Sequence, residues 1–153
     1  MFHTLDDAQI SMKGIIKTGK IASVHECTIR NNSKNETFNA VSIKLNVKLA
    51  SDQEFEIAKK RIIVHKDISK MSHDNILKFY GTWVEGDMLH LGFEMAEKGK
   101  MTEFLRQSRS QGKNMSSLSN YNIIKMLTDI AHGLSHLHQR NIIHGDLRGK
   151  NLC

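Results

Sequence analysis

The stretch NAVSIKLNVKL, from Asn39 to Leu49, leaves a folding chain few choices. Val41, Ile43, Leu45, Val47 and Leu49 alternate with Ser42, Lys44, Asn46 and Lys48. A period of two is that of a β-strand with one apolar and one polar face. The pattern predicts a strand carrying both lysines on the face opposite the apolar set.

What surrounds that strand divides the chain into a strand-rich first half and a helical second half. Ile15 to Lys17 and Val24 to Ile29 are short β-like runs, and the polar NNSKNET predicts a turn between two strands. From Ser51 the periodicity changes. SDQEFEIAKKRIIVHKDISKM opens with an N-cap residue and an acidic first turn, then places Phe55, Ile62 and Ile63 at helical spacing. Ile76 to Trp83 and Met88 to Phe93 predict two further strands joined at Glu85-Gly86-Asp87. After Gly99, MTEFLRQSRS predicts a short helix capped by Thr102, and SNYNIIKMLTDIAHGLSHLHQR a long one. The stripe of Ile123, Ile124, Leu127, Ile130, Leu134 and Leu137 on the long helix is wide enough to be buried.

Several function classes lose support at this stage. The net charge is +6 over 153 residues, but lysines and arginines are scattered from Lys13 to Lys150 without a dense block, so a solvated surface is expected and a nucleic-acid partner is not. No apolar run is long enough to span a bilayer, and the start MFHTLDDAQI lacks the basic and apolar regions of a secretory signal. Cys27 and Cys153 make a disulfide framework improbable and predict a reducing, cytoplasmic setting. The sequons at Asn31, Asn35 and Asn114 therefore read as chance. His132 and His136 stand four apart without a third metal ligand, and His25-Glu26-Cys27 would split its ligands between the faces of a strand.

Val41-Ser42-Ile43-Lys44, His73-Asp74-Asn75-Ile76, Phe93 to Leu105 and Ile142 to Asn151, in that order, are four local patterns that together resemble the protein kinase catalytic domain. Val41-Ser42-Ile43-Lys44 resembles the VAIK strand, and His73-Asp74-Asn75-Ile76 the HxN-I that follows the first helix. FEMAEKGKMTEFL, from Phe93 to Leu105, is similar to the hinge and the first helix of the large lobe. Ile142 to Asn151 resembles HRDLxxxxN. The likeness runs from about Leu5 to the end of the chain. It implies an α+β fold: an antiparallel five-stranded small lobe with one helix, residues 5–95 including the hinge, and the start of the large lobe, residues 96–153.

Phosphoryl transfer consists mainly of positioning and charge neutralisation, and the resemblance distributes those tasks. It implies that Lys44 contacts the phosphates of ATP, with Lys48 as a rival, that Asp146 orients the incoming hydroxyl, and that Asn151 holds Mg²⁺. Gly19 and Val24 would belong to the loop over the nucleotide, Glu94 to Ala96 would offer backbone groups to adenine, and Phe93 would close the back of the pocket as gatekeeper. The cleft between lobes would then bring Lys44 to face Asp146 and Asn151. His138 would have a packing role. Arg148 resembles the arginine of the HRDLRAAN loop and implies tyrosine specificity.

The departures are equally local. The glycine-rich loop keeps only Gly19 of three glycines, leaving side chains at Lys17 and Ala22 where bare backbone would close over phosphates, although Lys17 or Lys20 supplies charge. The helix should offer a glutamate to the lysine, but the family's spacings fall at Lys59 and Val64. Glu56 lies eight residues before Val64, about 12 Å along a helix. Ser42 replaces a small apolar residue, and Gly145 replaces the arginine of HRD, a regulatory rather than a chemical loss. The chain ends two residues after Asn151, ahead of the DFG metal ligand.

The expected function is therefore that of a protein kinase domain, with ATP and Mg²⁺ as cofactors and a protein as substrate or partner, and with this chain itself inactive. The alternatives are a pseudokinase acting through contacts, as in the kinase-homology region of receptor guanylyl cyclases, and an incomplete gene product. A receptor parent would place the chain on the cytoplasmic side of a membrane. The long helix, if exposed, would mediate association.

Overall fold

The computed structural model describes residues 5, 8–70, 72–110 and 120–153; the sequon at Asn114 and the first residue of the expected long helix, Ser119, lie outside them. The described chain is an α+β structure whose elements follow the order β1 (Ala8–Thr18), β2 (Ala22–Asn31), β3 (Glu36–Asn46), α1 (Asp52–Ser69), β4 (Phe79–Glu85), β5 (Met88–Glu94), α2 (Met101–Ser110) and α3 (Asn120–His138). It divides into two compact units. The first holds the residues up to Ser72 together with Leu77–Met95, and the second holds His73–Ile76 and Ala96–Cys153.

The first unit is a five-stranded antiparallel sheet in the order β1-β2-β3-β5-β4. β1 is much longer than the Ile15–Lys17 run that propensity picks out, because pairing with β2 from Ala8↔Asn31 to Thr18↔Ser23 carries polar residues and Gly14 into the strand. Two register shifts, between Met12 and Ile15 and between Ile15 and Lys17, interrupt that edge. Such irregularities discourage an edge strand from pairing with another chain. β3 stops at Asn46, three residues short of the alternation, because the Asn46 side chain accepts from the backbone N–H groups of Lys48 and Leu49 and turns the chain. Lys48 thus leaves the strand and pairs with Asp87 at 2.7 Å on the surface.

Each face of the sheet carries a buried apolar cluster. On one, Leu45, Phe79, Leu89, Leu91 and Phe93 form a core with Ile62 of α1, and Ile43, Val47 and Ala58 pack around it. Ile62 is 1 % exposed; burying such a side chain contributes about 2–3 kcal/mol. α1 starts where the sequence predicts: Ser51 and Glu54 form a reciprocal capping box. The other face buries Cys27, Ile29 and Ala40 against Leu5, Ile10, Tyr80 and Trp83.

In the second unit, α2 begins one residue before the expected cap: Lys100 occupies the cap position and its carbonyl accepts from Phe104, which puts Thr102 inside the first turn. The α3 stripe is split. Leu137 is buried and Ile130 and Leu134 are partly covered, while Ile124 and Leu127 are more than half exposed. α3 runs close to the His73–Ile76 segment, where a Cβ at Gly133 would lie 2.8 Å from the Asn75 carbonyl oxygen.

Candidate functional site

The loop after α3 is built by its helix end. Asn141 takes a left-handed conformation at φ 58, its N–H donates to the His138 carbonyl, and the Ile142 N–H reaches back to Leu137 at 3.0 Å. These two bonds make a Schellman termination, which satisfies the last carbonyls and throws the chain outward. Three residues later Gly145 reverses it at φ 72. The Asp146 N–H donates to His144 Nδ1 at 3.3 Å, and a 3-10 turn over Gly149–Asn151 brings Asn151 back.

Both carboxylate oxygens of Asp146 are thereby engaged. Asn151 Nδ2 donates to Asp146 Oδ2 at 2.8 Å and to the Asp146 carbonyl at 2.9 Å, while Arg148 pairs with Oδ1. The hydrogen-bonded Arg148 guanidinium holds the Asp146 carboxyl below its ordinary range; partial desolvation opposes this and the Asn151 amide reinforces it. The result is a half-exposed, ionised and oriented carboxylate. Its spare lone pairs suit it to accept a hydrogen bond from a hydroxyl. The loop is also tied to α2: the Met101 N–H donates to the Leu152 carbonyl at 2.8 Å, and a Cβ at Gly149 would meet the Thr102 methyl at 2.8 Å.

The expected nucleotide residues of the first unit lie on two different faces. Cross-strand partners share a face, so the pairs Val24↔Ile43, Ile43↔Leu91 and Val41↔Phe93 put Val24 and Phe93 on the side covered by α1. Lys44 pairs with His90 and Ser23 and lies on the opposite side, together with Ser42. Among the described residues no ion pair joins Lys44 to an acid of α1. Glu54 is engaged at the Ser51 cap, Glu56 pairs with Lys59 at 2.7 Å, and Asp67 pairs with Lys70 at 2.8 Å. The helix instead presents Ala58, Ile62 and His65 to the sheet.

The remaining residues are placed by backbone bonds. Gly19 closes the β1–β2 turn by donating to the Ala22 carbonyl at 2.8 Å; a Cβ there would lie 2.9 Å from that oxygen, so the position requires glycine. Phe93 packs edge-on to His65 at 5.0 Å. Glu94 is clamped to Lys78, its N–H donating to the Lys78 carbonyl and its carboxylate accepting from the Lys78 N–H. The Ala96 carbonyl accepts from Gly99 at 3.0 Å.

Sequence reading missed the Ser42–His90 pair. Ser42 is fully buried, with its Oγ 3.0 Å from Nδ1 of the equally buried His90. The signal was present in MLHLGFE, where His90 alternates with Leu89, Leu91 and Phe93 and so belongs to the other face.

Residues 10–153 match the protein tyrosine and serine/threonine kinase family. Similar proteins include the serine/threonine-protein kinase dst2 of Dictyostelium discoideum, 32 % identical over 76 % of this chain and 9 % of its own length. Another is the proto-oncogene tyrosine-protein kinase ROS of Mus musculus, 31 % identical over 72 % of this chain and 5 % of its own. The mitosis inhibitor protein kinase wee1 of Schizosaccharomyces pombe is 28 % identical over 71 % of this chain and 12 % of its own. The chain belongs to the protein kinase family, and its sheet and helices are those of the kinase small lobe and the beginning of the large lobe. It spans between 5 and 23 % of the length of the curated relatives it matches. Those relatives include both serine/threonine and tyrosine kinases.

Proposed function

We propose that this domain serves ATP-dependent phosphoryl transfer to protein hydroxyl groups, with tyrosine preferred, and that the chain by itself has negligible turnover. The observation that carries the first part is the Asp146 carboxylate, held at one oxygen by Arg148 and at the other by Asn151. Such a group aligns a hydroxyl and receives its proton as the phosphoryl group moves. Arg148, two residues after Asp146, supports the tyrosine preference through its likeness to the HRDLRAAN loop.

Mg²⁺ would neutralise charge between the phosphates. Asn151 spends its amide nitrogen on Asp146, so its carboxamide oxygen is the atom for a hard cation. Among the described residues no group of three or more His, Cys, Asp or Glu side chains suits a metal. When bound with a nucleotide, Mg²⁺ would be held through the Asn151 carboxamide oxygen and would supply charge neutralisation at the phosphates.

Lys44 supports the second part. It lies on the sheet face away from α1, and the acids of α1 do not pair with it. A lysine with no acidic partner among the described residues is poorly held against phosphates. The same observation favours a second reading, a pseudokinase that works through protein contacts. Incubation with ATP, Mg²⁺ and tyrosine or serine peptides should give no phosphopeptide above background. Turnover abolished by Asp146→Asn would overturn the inactivity. A rise in melting temperature of about 5 °C at hundredfold excess of ATP and Mg²⁺ over Kd would argue for a working nucleotide site against the contact-only reading.

A further inference from the structure

On the face of the sheet that carries Lys44, four strands contribute a single row: Ser23 of β2, Lys44 of β3, His90 of β5 and Trp83 of β4, each directly opposite the next. His90 is fully buried in this row and stacks nearly parallel on Trp83, with ring centroids 4.7 Å apart. Its Nδ1 faces Ser42 Oγ at 3.0 Å. Its Nε2 makes no hydrogen bond but has the Glu85 carboxylate 3.5 Å away, on a side chain that is 69 % exposed. We propose that His90 is a proton-operated switch of the sheet, set between Ser42 and Glu85 beside Lys44, with the stacked Trp83 as its built-in reporter.

The two positions differ in hydrogen bonding. The neutral ring can accept from the Ser42 hydroxyl at Nδ1 and carry its hydrogen on Nε2. On protonation both nitrogens donate: Nδ1–H to Ser42 Oγ, whose own hydrogen must turn away, and Nε2–H to Glu85, which closes over the ring as its counter-ion. The charged groups facing His90 come from three strands: Lys44 on β3, Glu85 on β4 and His25 on β2. α1 packs on the other face and supplies none. Burial, then Lys44, push His90 below the ordinary histidine range, Glu85 pulls it back, and His25 adds to the downward push. The switch thus operates on the acid side of neutrality. Closing it places a second positive charge beside the Lys44 ammonium, whether or not a nucleotide is bound there.

Trp83 is the chain's one tryptophan, and a protonated imidazole stacked on an indole quenches its emission. A pH titration of Trp83 fluorescence in the whole chain, paired with NMR of the His90 ring, tests the proposal. The expected result is a loss of emission on acidification with a midpoint below 6.5, tracking the His90 ring signals. Glu85→Gln should lower that midpoint and Lys44→Met should raise it, each by about half a pH unit or more. Because the charged ends of Glu85 and Lys44 are not part of the apolar core, both variants keep the test alive if His90→Gln fails to fold. Where His90→Gln does fold, the step should vanish. A step that survives in His90→Gln, or a midpoint indifferent to both charge changes, would overturn the switch.

Discussion

Lys44 and Asp146 both stand in short motifs, yet they are held by different kinds of interaction. Everything that orients Asp146 lies within five residues of it: His144, Arg148 and Asn151. What orients Lys44 is the register of β3 against β2 and β5, with partners from Ser23 to His90. Local hydrogen bonds are written into a motif, whereas the face a strand residue occupies is decided by chain segments the motif does not contain. A shift of one residue in register moves every side chain to the other face. The loop should therefore tolerate change one residue at a time, while the sheet should respond as a body.

The largest expected effect lies in the sheet. Ile62→Ala removes the one fully buried α1 side chain from the Leu45–Phe93 cluster, and a cavity of this kind costs about 2–5 kcal/mol. Urea unfolding followed by Trp83 fluorescence measures it. A loss well under 1 kcal/mol would mean that α1 does not hold the sheet together.

Acidification probes both faces of the sheet at once. His65, packed between Phe79 and Phe93 on the α1 face, is pushed below the ordinary value of 6.5 by burial and by Arg61. His90, on the opposite face, is lowered as well. The unfolded chain then binds protons that the folded chain refuses. Their contribution is complete above about pH 6.5 and is lost as the pH falls from there through the folded-state values. Glu54 and Asp146, whose carboxyls are also lowered, lose their contributions only in the acid range below their ordinary values of 4.5 and 3.8. Urea midpoints measured between pH 7.5 and 5.5 should therefore fall with acid, and His65→Leu should remove part of that slope. An unchanged slope in His65→Leu assigns the whole effect to the Lys44 face.

The same division explains what the sequence disclosed. The α+β class, the order of strands and helices along the chain and the Ser51 helix start were all readable, since each rests on periodicity or on bonds between near neighbours. The extent of β1 was not, because polar residues enter it only through pairing with β2. Nor was the end of β3, where an Asn46 side-chain turn overrides three more residues of apolar alternation. The burial of Ser42 against His90 was hidden for the same reason as the face of Lys44, since 48 residues separate the pair.

On the loop side the expected costs are smaller and separable. Gly145 has φ 72 but open space where a Cβ would point, so Gly145→Ala meets only backbone strain, about 1 kcal/mol. Asparagine tolerates the left-handed region better than alanine, and Gly145→Asn should recover part of that loss. The readout is amide exchange at Asp146 and Asn151, not the global unfolding midpoint. Equal effects of the two substitutions would locate the cost in the added Cβ rather than in φ.

The smallest effect tests whether Asp146 is as locally governed as its geometry suggests. Arg148→Gln removes the interaction that most lowers the Asp146 carboxyl and leaves the Asn151 bonds in place. The Asp146 titration, followed by carboxyl carbon NMR, should move up towards the ordinary value while the urea midpoint at pH 7 stays where it was, since an exposed ion pair of this kind adds little to stability. Asn151→Ala should move the titration in the same direction by less. If instead Arg148→Gln left the Asp146 titration unmoved, the carboxylate would be set by charges beyond the loop, and the contrast with Lys44 would fail at its simpler half.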